Sequence, residues 1–98
     1  MYTIDTIKEK ITPICKQYMV KKVFIFGSYA RGDATESSDI DIRIEAGNID
    51  NLFTLSSFRQ DIVNALGIEV DIISANISTL DTTLRKNLER EEILLYAA

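Results

Sequence analysis

The sequence predicts an α/β (α+β) fold, a single lobe over residues 1–98 with a small mixed sheet backed by helices. Three observations carry this. Apolar residues recur three and four apart in two long stretches, Ile4, Ile7, Ile11, Ile14 and Tyr18, then Leu52, Leu55, Phe58, Ile62, Val63 and Leu66. That is the period of helices burying one face. Residues 39–44, DIDIRI, alternate strictly between charged residues and isoleucine, the period of a strand with one face on a core. Helical and strand patterns also take turns along the chain, which sets helices against a sheet.

In order, residues 3–18 form the first helix. Pro13 removes one backbone donor there and is expected to kink or divide it. Cys15 stands beside Ile14 on the apolar side and reads as core filler. Residues 22–26, KVFIF, are β-branched and aromatic and end at Gly27, a buried strand. The stretch 27–38, GSYARGDATESS, suits a turn with a short helix; its Gly32 answers a backbone requirement. Residues 39–44 follow as a strand with Asp39, Asp41 and Arg43 on one face and Ile40, Ile42 and Ile44 on the other. Residues 51–66 are the second long helix, with Gly67 in the position of a C-terminal cap. Residues 68–73, IEVDII, form a further strand with acids on one face. Residues 80–91 read as a charged helix, and the run from Arg85 to Glu92 as its solvated face. EILLY, residues 92–96, closes the series as a short strand or chain end.

Composition narrows the chemistry. The 98 residues suit one domain, and 46% apolar with 27% charged residues is an ordinary globular balance. Eleven Lys+Arg against 15 Asp+Glu give a net charge of −4, which disfavours non-specific binding to nucleic acid or anionic membrane. With no histidine and only Cys15, a Ser-His-Asp triad, a Cys-His pair and a Cys/His zinc site within the chain are all excluded. No intrachain disulfide can form, which fits a reducing cytoplasm. No apolar run approaches a membrane span, and MYTIDTIKEK lacks a secretory pattern, so a cytoplasmic protein is expected. The tools left for catalysis are carboxylates and a metal they recruit.

The segment FGSYARGDATESSDIDIRIE, Phe26 to Glu45, concentrates those tools. Two carboxylates two apart on one strand stand side by side and repel. A hard divalent cation such as Mg²⁺ relieves that repulsion and commonly shares a nucleotide's phosphates. Upstream, Gly27 lets the backbone approach a phosphate, and the Ser28 hydroxyl and main-chain N–H groups can donate to it. Two better-known motifs fail. GSYARGDA has Walker A glycine spacing but Asp33-Ala34 where Lys-Ser/Thr is required. DIDIRI begins like an EF-hand loop but carries Arg43 at a ligand position and Ile44 at the glycine position.

At Gly27, Ser28, Arg31, Gly32, Ser38, Asp39 and Asp41 the chain resembles the DNA polymerase beta-type nucleotidyltransferase superfamily, and in detail the minimal nucleotidyltransferases, or MNT proteins. The resemblance covers nearly the whole chain. It implies a stand-alone catalytic lobe, ATP as substrate with Mg²⁺, two ions by expectation, and a third acid on a later strand, a role that Asp71 in Val70-Asp71-Ile72 fits. It also implies a HEPN-domain partner, a ribonuclease toxin, inactivated by transfer of AMP to a tyrosine hydroxyl.

Asp39, Asp41 and Asp71 are thus the expected catalytic and metal-holding residues. Gly27, Ser28, Arg31 and Ser38 are expected at the nucleotide. One ion would hold the triphosphate, and a second ion or a base would activate the acceptor hydroxyl. With no histidine, the acceptor's proton goes to a carboxylate, foremost Asp71, or to metal-bound water. Glu69 is a weaker candidate on the face of Asp71. Several roles stay open at this level. Arg31 lies near the phosphates or caps the turn. Arg43 pairs with a carboxylate or touches substrate. Ser38 contacts substrate or caps the strand's entry, and Tyr29 stacks on a base or packs. Two other functions also stay open: an antitoxin that neutralises its partner by binding alone, and a nucleotidyltransferase acting on a small molecule.

Overall fold

Helix α1 (Ile4–Tyr18) opens the chain in the computed structural model, which describes residues 1–98. Thr3 caps it, its hydroxyl accepting from the Thr6 N–H at 3.1 Å. Ile7, Ile11 and Cys15 are buried, as their spacing requires. Pro13 does not divide the helix, which runs through it unbroken. Pro13 and Glu9, whose carbonyl loses its i+4 donor, both lie on the exposed side, where water satisfies the freed oxygen.

Strand β1 (Lys22–Phe26) leads into the single-turn helix α2 (Gly27–Arg31). Strand β2 (Ile40–Glu45) begins one residue later than the alternation predicted and leaves Asp39 at its mouth. Helix α3 (Leu52–Leu66) is capped by Asn51 and ends at Gly67 in the left-handed conformation, φ +69°. Strand β3 (Val70–Ser74), a short 3₁₀ turn (Ile77–Thr79), helix α4 (Thr82–Glu91) and strand β4 (Ile93–Ala97) complete the chain.

The sheet is mixed, in the order β3-β2-β1-β4. β1 pairs antiparallel with β2 and β4, and β2 pairs parallel with β3 through the α3 crossover. Alternation gives the sheet two unlike faces. Val23, Ile25, Ile40, Ile42, Ile44, Val70 and Leu95 point inward, all fully or almost fully buried with the apolar residues of α1 and α3. Each isoleucine buried this way contributes about 1.5–3 kcal/mol. Tyr18 ties the two helices together: its hydroxyl donates to Asp61 at 2.6 Å and its ring meets Phe58 edge-on at 5.4 Å. Cys15 is fully enclosed, and burial pushes its thiol pKa up to about 12, so it is core filler and not a nucleophile. No helix is long and apolar enough to cross a membrane.

Candidate active site

The opposite face of the sheet carries the acids. Asp41 lies directly across the parallel β2–β3 pair from Asp71. Residues in register project to the same side, so a residue near the middle of the chain and one thirty positions later become neighbours. Asp39, two residues before Asp41, follows the same alternation. Asp39 and Asp71 are exposed, while Asp41 is half-buried. Burial, followed by the charges of Asp71 and Asp39 and a hydrogen bond with Asp71, raises the Asp41 pKa above the ordinary carboxylate value, with Arg31 opposing weakly. The three carboxylates are not drawn into a ligating cluster. The donor set nevertheless fits a hard cation: it is all carboxylate oxygen, and a divalent ion relieves the repulsion that adds to burial at Asp41.

Antiparallel pairing sets Phe26, the last residue of β1, opposite Asp41, so the chain leaves β1 beside the acids. Gly27 adopts φ +75°, and a Cβ there would overlap Asp41 Oδ2. The left-handed φ already favours glycine here, and the Asp41 carboxylate also takes the space a side chain would fill. Ser28 sits half-buried in the first turn of α2, and Gly32 ends that turn at φ +84°, its N–H donating to the Ser28 carbonyl. Ser38 Oγ accepts from the Thr35 N–H at 2.8 Å and closes the turn ahead of β2. Tyr29 is buried in the core cluster, the packing alternative and not the stacking one.

The charged residues around this face divide into two clamps that meet at the α4–β4 junction. Arg43 is 1% exposed and does not face a substrate. Its Nε and Nη2 donate to the two carboxylate oxygens of Glu92 at 3.0 and 2.8 Å, its Nη1 donates to Glu45 at 3.3 Å and the Ala75 carbonyl at 2.9 Å, and its Cζ lies 4.4 Å from the Phe24 ring centroid. Of the two roles open to Arg43, the structure selects the carboxylate pair. Next to it, Glu91 Oε1 accepts from the Gly27 N–H at 2.6 Å and from Arg31 Nη1 at 3.2 Å. Arg31 Nε also reaches Asp33 at 3.2 Å. Glu91 and Glu92 are therefore not the solvated end of a charged helix, as the sequence reading had them. The available signal was Arg43 itself, since an arginine inside a buried strand demands a carboxylate from elsewhere. Glu69, the weaker candidate, accepts from Arg59 Nη2 at 2.7 Å.

Beside Asp71 a groove of about 400 Å³ runs between α3 and the edge strand β3, lined by Leu52, Leu55, Arg59, Val70 and Ile72. The acid face itself is an open ledge and not a closed cavity.

The sequence profile of the family described as "Polymerase beta, Nucleotidyltransferase" matches residues 9–98. A Methanocaldococcus jannaschii protein with the provisional name of protein adenylyltransferase is 44% identical over 73 residues, 74% of this chain and 78% of that one. A solved structure provisionally named a minimal nucleotidyltransferase superposes with a TM-score of 0.74 at 29% identity, covering 94% of this chain and 95% of that chain. A chain from the complex of tri-AMPylated HEPN toxin and MNT antitoxin of Shewanella oneidensis superposes with a TM-score of 0.70, covering 98% of this chain and 74% of that chain. At 19% identity this last likeness speaks for the fold alone.

Proposed function

The chain belongs to the polymerase beta-type nucleotidyltransferase family, in its minimal form, and from that premise we propose that it is an antitoxin that transfers AMP from ATP to a tyrosine hydroxyl of a partner HEPN ribonuclease and so inactivates it. The observation that carries the reading is the register of β2 against β3. It sets Asp71 across from Asp41 beside the Gly27-Ser28 turn, so that an acid ledge adjoins the turn proposed to hold phosphate. The adenylyltransferase name of the jannaschii relative supports a protein acceptor; the HEPN partner is proposed by analogy with the Shewanella complex, one chain of which shares this fold.

Asp39, Asp41 and Asp71 would hold Mg²⁺, two ions in the full site. When bound, the metal neutralises the triphosphate and polarises its α-phosphorus. The protein supplies position and charge. Ser28 and Arg31 donate to phosphate oxygens, and Ser38 closes the turn that leads into Asp39. The acceptor oxygen attacks the α-phosphorus, the new O–P bond forms as the bond to pyrophosphate breaks, and the acceptor proton passes to an Asp71 carboxylate oxygen. Residues 1–98 act as one catalytic lobe. Its open ledge has little surface with which to enclose a second substrate, so the partner brings its own acceptor to the site. The reaction belongs in the cytoplasm, where ATP and Mg²⁺ are available, and needs no contact with nucleic acid or membrane.

Labelled ATP, Mg²⁺, the protein and a HEPN partner, incubated together, are expected to label the partner. Asp39→Ala/Asp41→Ala is expected to abolish labelling. Neutralisation of the partner without any label would replace transfer by binding as the activity.

A further inference from the structure

Glu91 is an acid at the site with no assigned part in the reaction, and its contacts are unusual. A single oxygen, Oε1, receives a main-chain N–H from Gly27 at 2.6 Å and a guanidinium N–H from Arg31 at 3.2 Å. These are two unlike donors, from the turn and from the end of α2, converging on one anionic point. Both are donor types that bind phosphate oxygens, and a carboxylate oxygen presents the same charge and acceptor geometry to them. We infer that the Glu91 carboxylate occupies a phosphate-oxygen position of the nucleotide site and must withdraw for a triphosphate to bind. The inference rests on the reading that Gly27-Ser28 and Arg31 hold the triphosphate.

Three further observations fit an exchangeable occupant. The Glu91 side chain is 25% exposed, against 9% for the neighbouring Glu92, so it is the more open of the two to solvent. Glu91 is the last residue of α4, a short helix whose only buried side chain is Leu88. Glu92 stays fixed by two hydrogen bonds to Arg43, which gives the movement a fixed pivot one residue away. The acids gain too. While Glu91 holds Arg31, the guanidinium is shared between it and Asp33. Once released by Glu91, Arg31 is available to the incoming phosphates. Glu91 thus sets nucleotide affinity through competition, and a partner that displaced α4 would raise that affinity.

The test is binding, read apart from transfer. Glu91→Gln keeps the shape but removes the charge that competes with phosphate. Mg-ATP and Mg-tripolyphosphate affinities, measured by calorimetry, are expected to rise about three- to tenfold over the parent protein, as a charge-assisted contact no longer has to break. Unliganded Glu91→Gln is expected to melt lower, and the ligand-induced rise in Tm to be larger than in the parent. Affinity that is unchanged or weaker in Glu91→Gln would overturn the inference and make Glu91 a tether only. If that variant does not fold, the parent protein decides: saturating Mg-ATP must shift the Gly27 amide and the Glu91 side-chain carboxyl resonances, and an unmoved Glu91 carboxyl overturns the idea. Absence of Mg-ATP binding by the parent protein would instead remove the functional reading beneath it.

Discussion

The two faces of strand β2 are built from the same six residues and obey opposite rules. Ile40, Ile42 and Ile44 point into the core at 0–1% exposure, where burial alone contributes stability and the partners are interchangeable apolar groups. On the other face Asp41, Arg43 and Glu45 are held by particular partners. Arg43 is as deeply buried as the isoleucines, at 1% exposed, yet only its bonds to Glu92, Glu45 and Ala75 make that tolerable. Asp41 is kept among acids that repel it. One face stabilises the lobe, and the other carries charges at some cost to it, a division expected where a site needs a particular charge pattern.

Four perturbations sharpen that contrast, beginning with the largest. Asp41→Asn should lower AMP transfer by about 10²–10³-fold or more, since a carboxylate that neutralises developing charge is lost while the shape is kept; the rate of partner labelling checks it. Arg43→Ala should destabilise the fold by about 3–5 kcal/mol, because it leaves Glu92 without its partner in a buried setting. Urea melts measure that loss. Replacing Arg43 and Glu92 together by apolar residues should recover much of it, and failure to recover would mean that the clamp is not a simple pair. Ile42→Val, on the inner face, should cost about 0.5–1.5 kcal/mol and leave transfer by the folded protein unchanged.

The smallest effect has the opposite sign. The Asp41 pKa is raised in the folded chain, so the folded state binds that proton more tightly than the unfolded state. Ionising Asp41 therefore costs stability. The cost is absent below the ordinary carboxylate range, sets in as pH rises through it, and is complete above the raised value. Asp41→Asn removes the cost and should stabilise the metal-free protein by up to about 1 kcal/mol near neutral pH. Below about pH 2.5, where the parent residue is almost wholly protonated in both states, the gain should vanish. A variant that is inactive yet more stable would separate the two faces most directly.

Most of the architecture was legible because period and punctuation are local properties. KVFIF ends at Phe26 as expected, and α3 begins at Leu52 and ends at Gly67 because its apolar period, Asn51 and Gly67 all say the same thing. DIDIRI announced which residues face away from the core, since alternation needs no knowledge of the partner strand. Of the two outcomes expected at Pro13, division does not occur, because the break depends on whether the freed carbonyl is open to solvent, and that is settled by which side of α1 packs. Glu91 and Glu92 were hidden for a related reason: in sequence they resemble any acidic helix end, and their partners lie 64 and 49 residues away.

By itself, then, the sequence determined the helix and strand periods, the exclusion of histidine and disulfide chemistry, and the acids Asp39, Asp41 and Asp71, because residue identity and spacing are written along the chain. The tertiary structure alone decided that Asp41 faces Asp71, that Gly27 lies against the Asp41 carboxylate, and that Arg43 belongs to Glu92. Each of these depends on strand register or on the packing of a distant element. Distance through space between residues far apart in the chain is set by the fold as a whole.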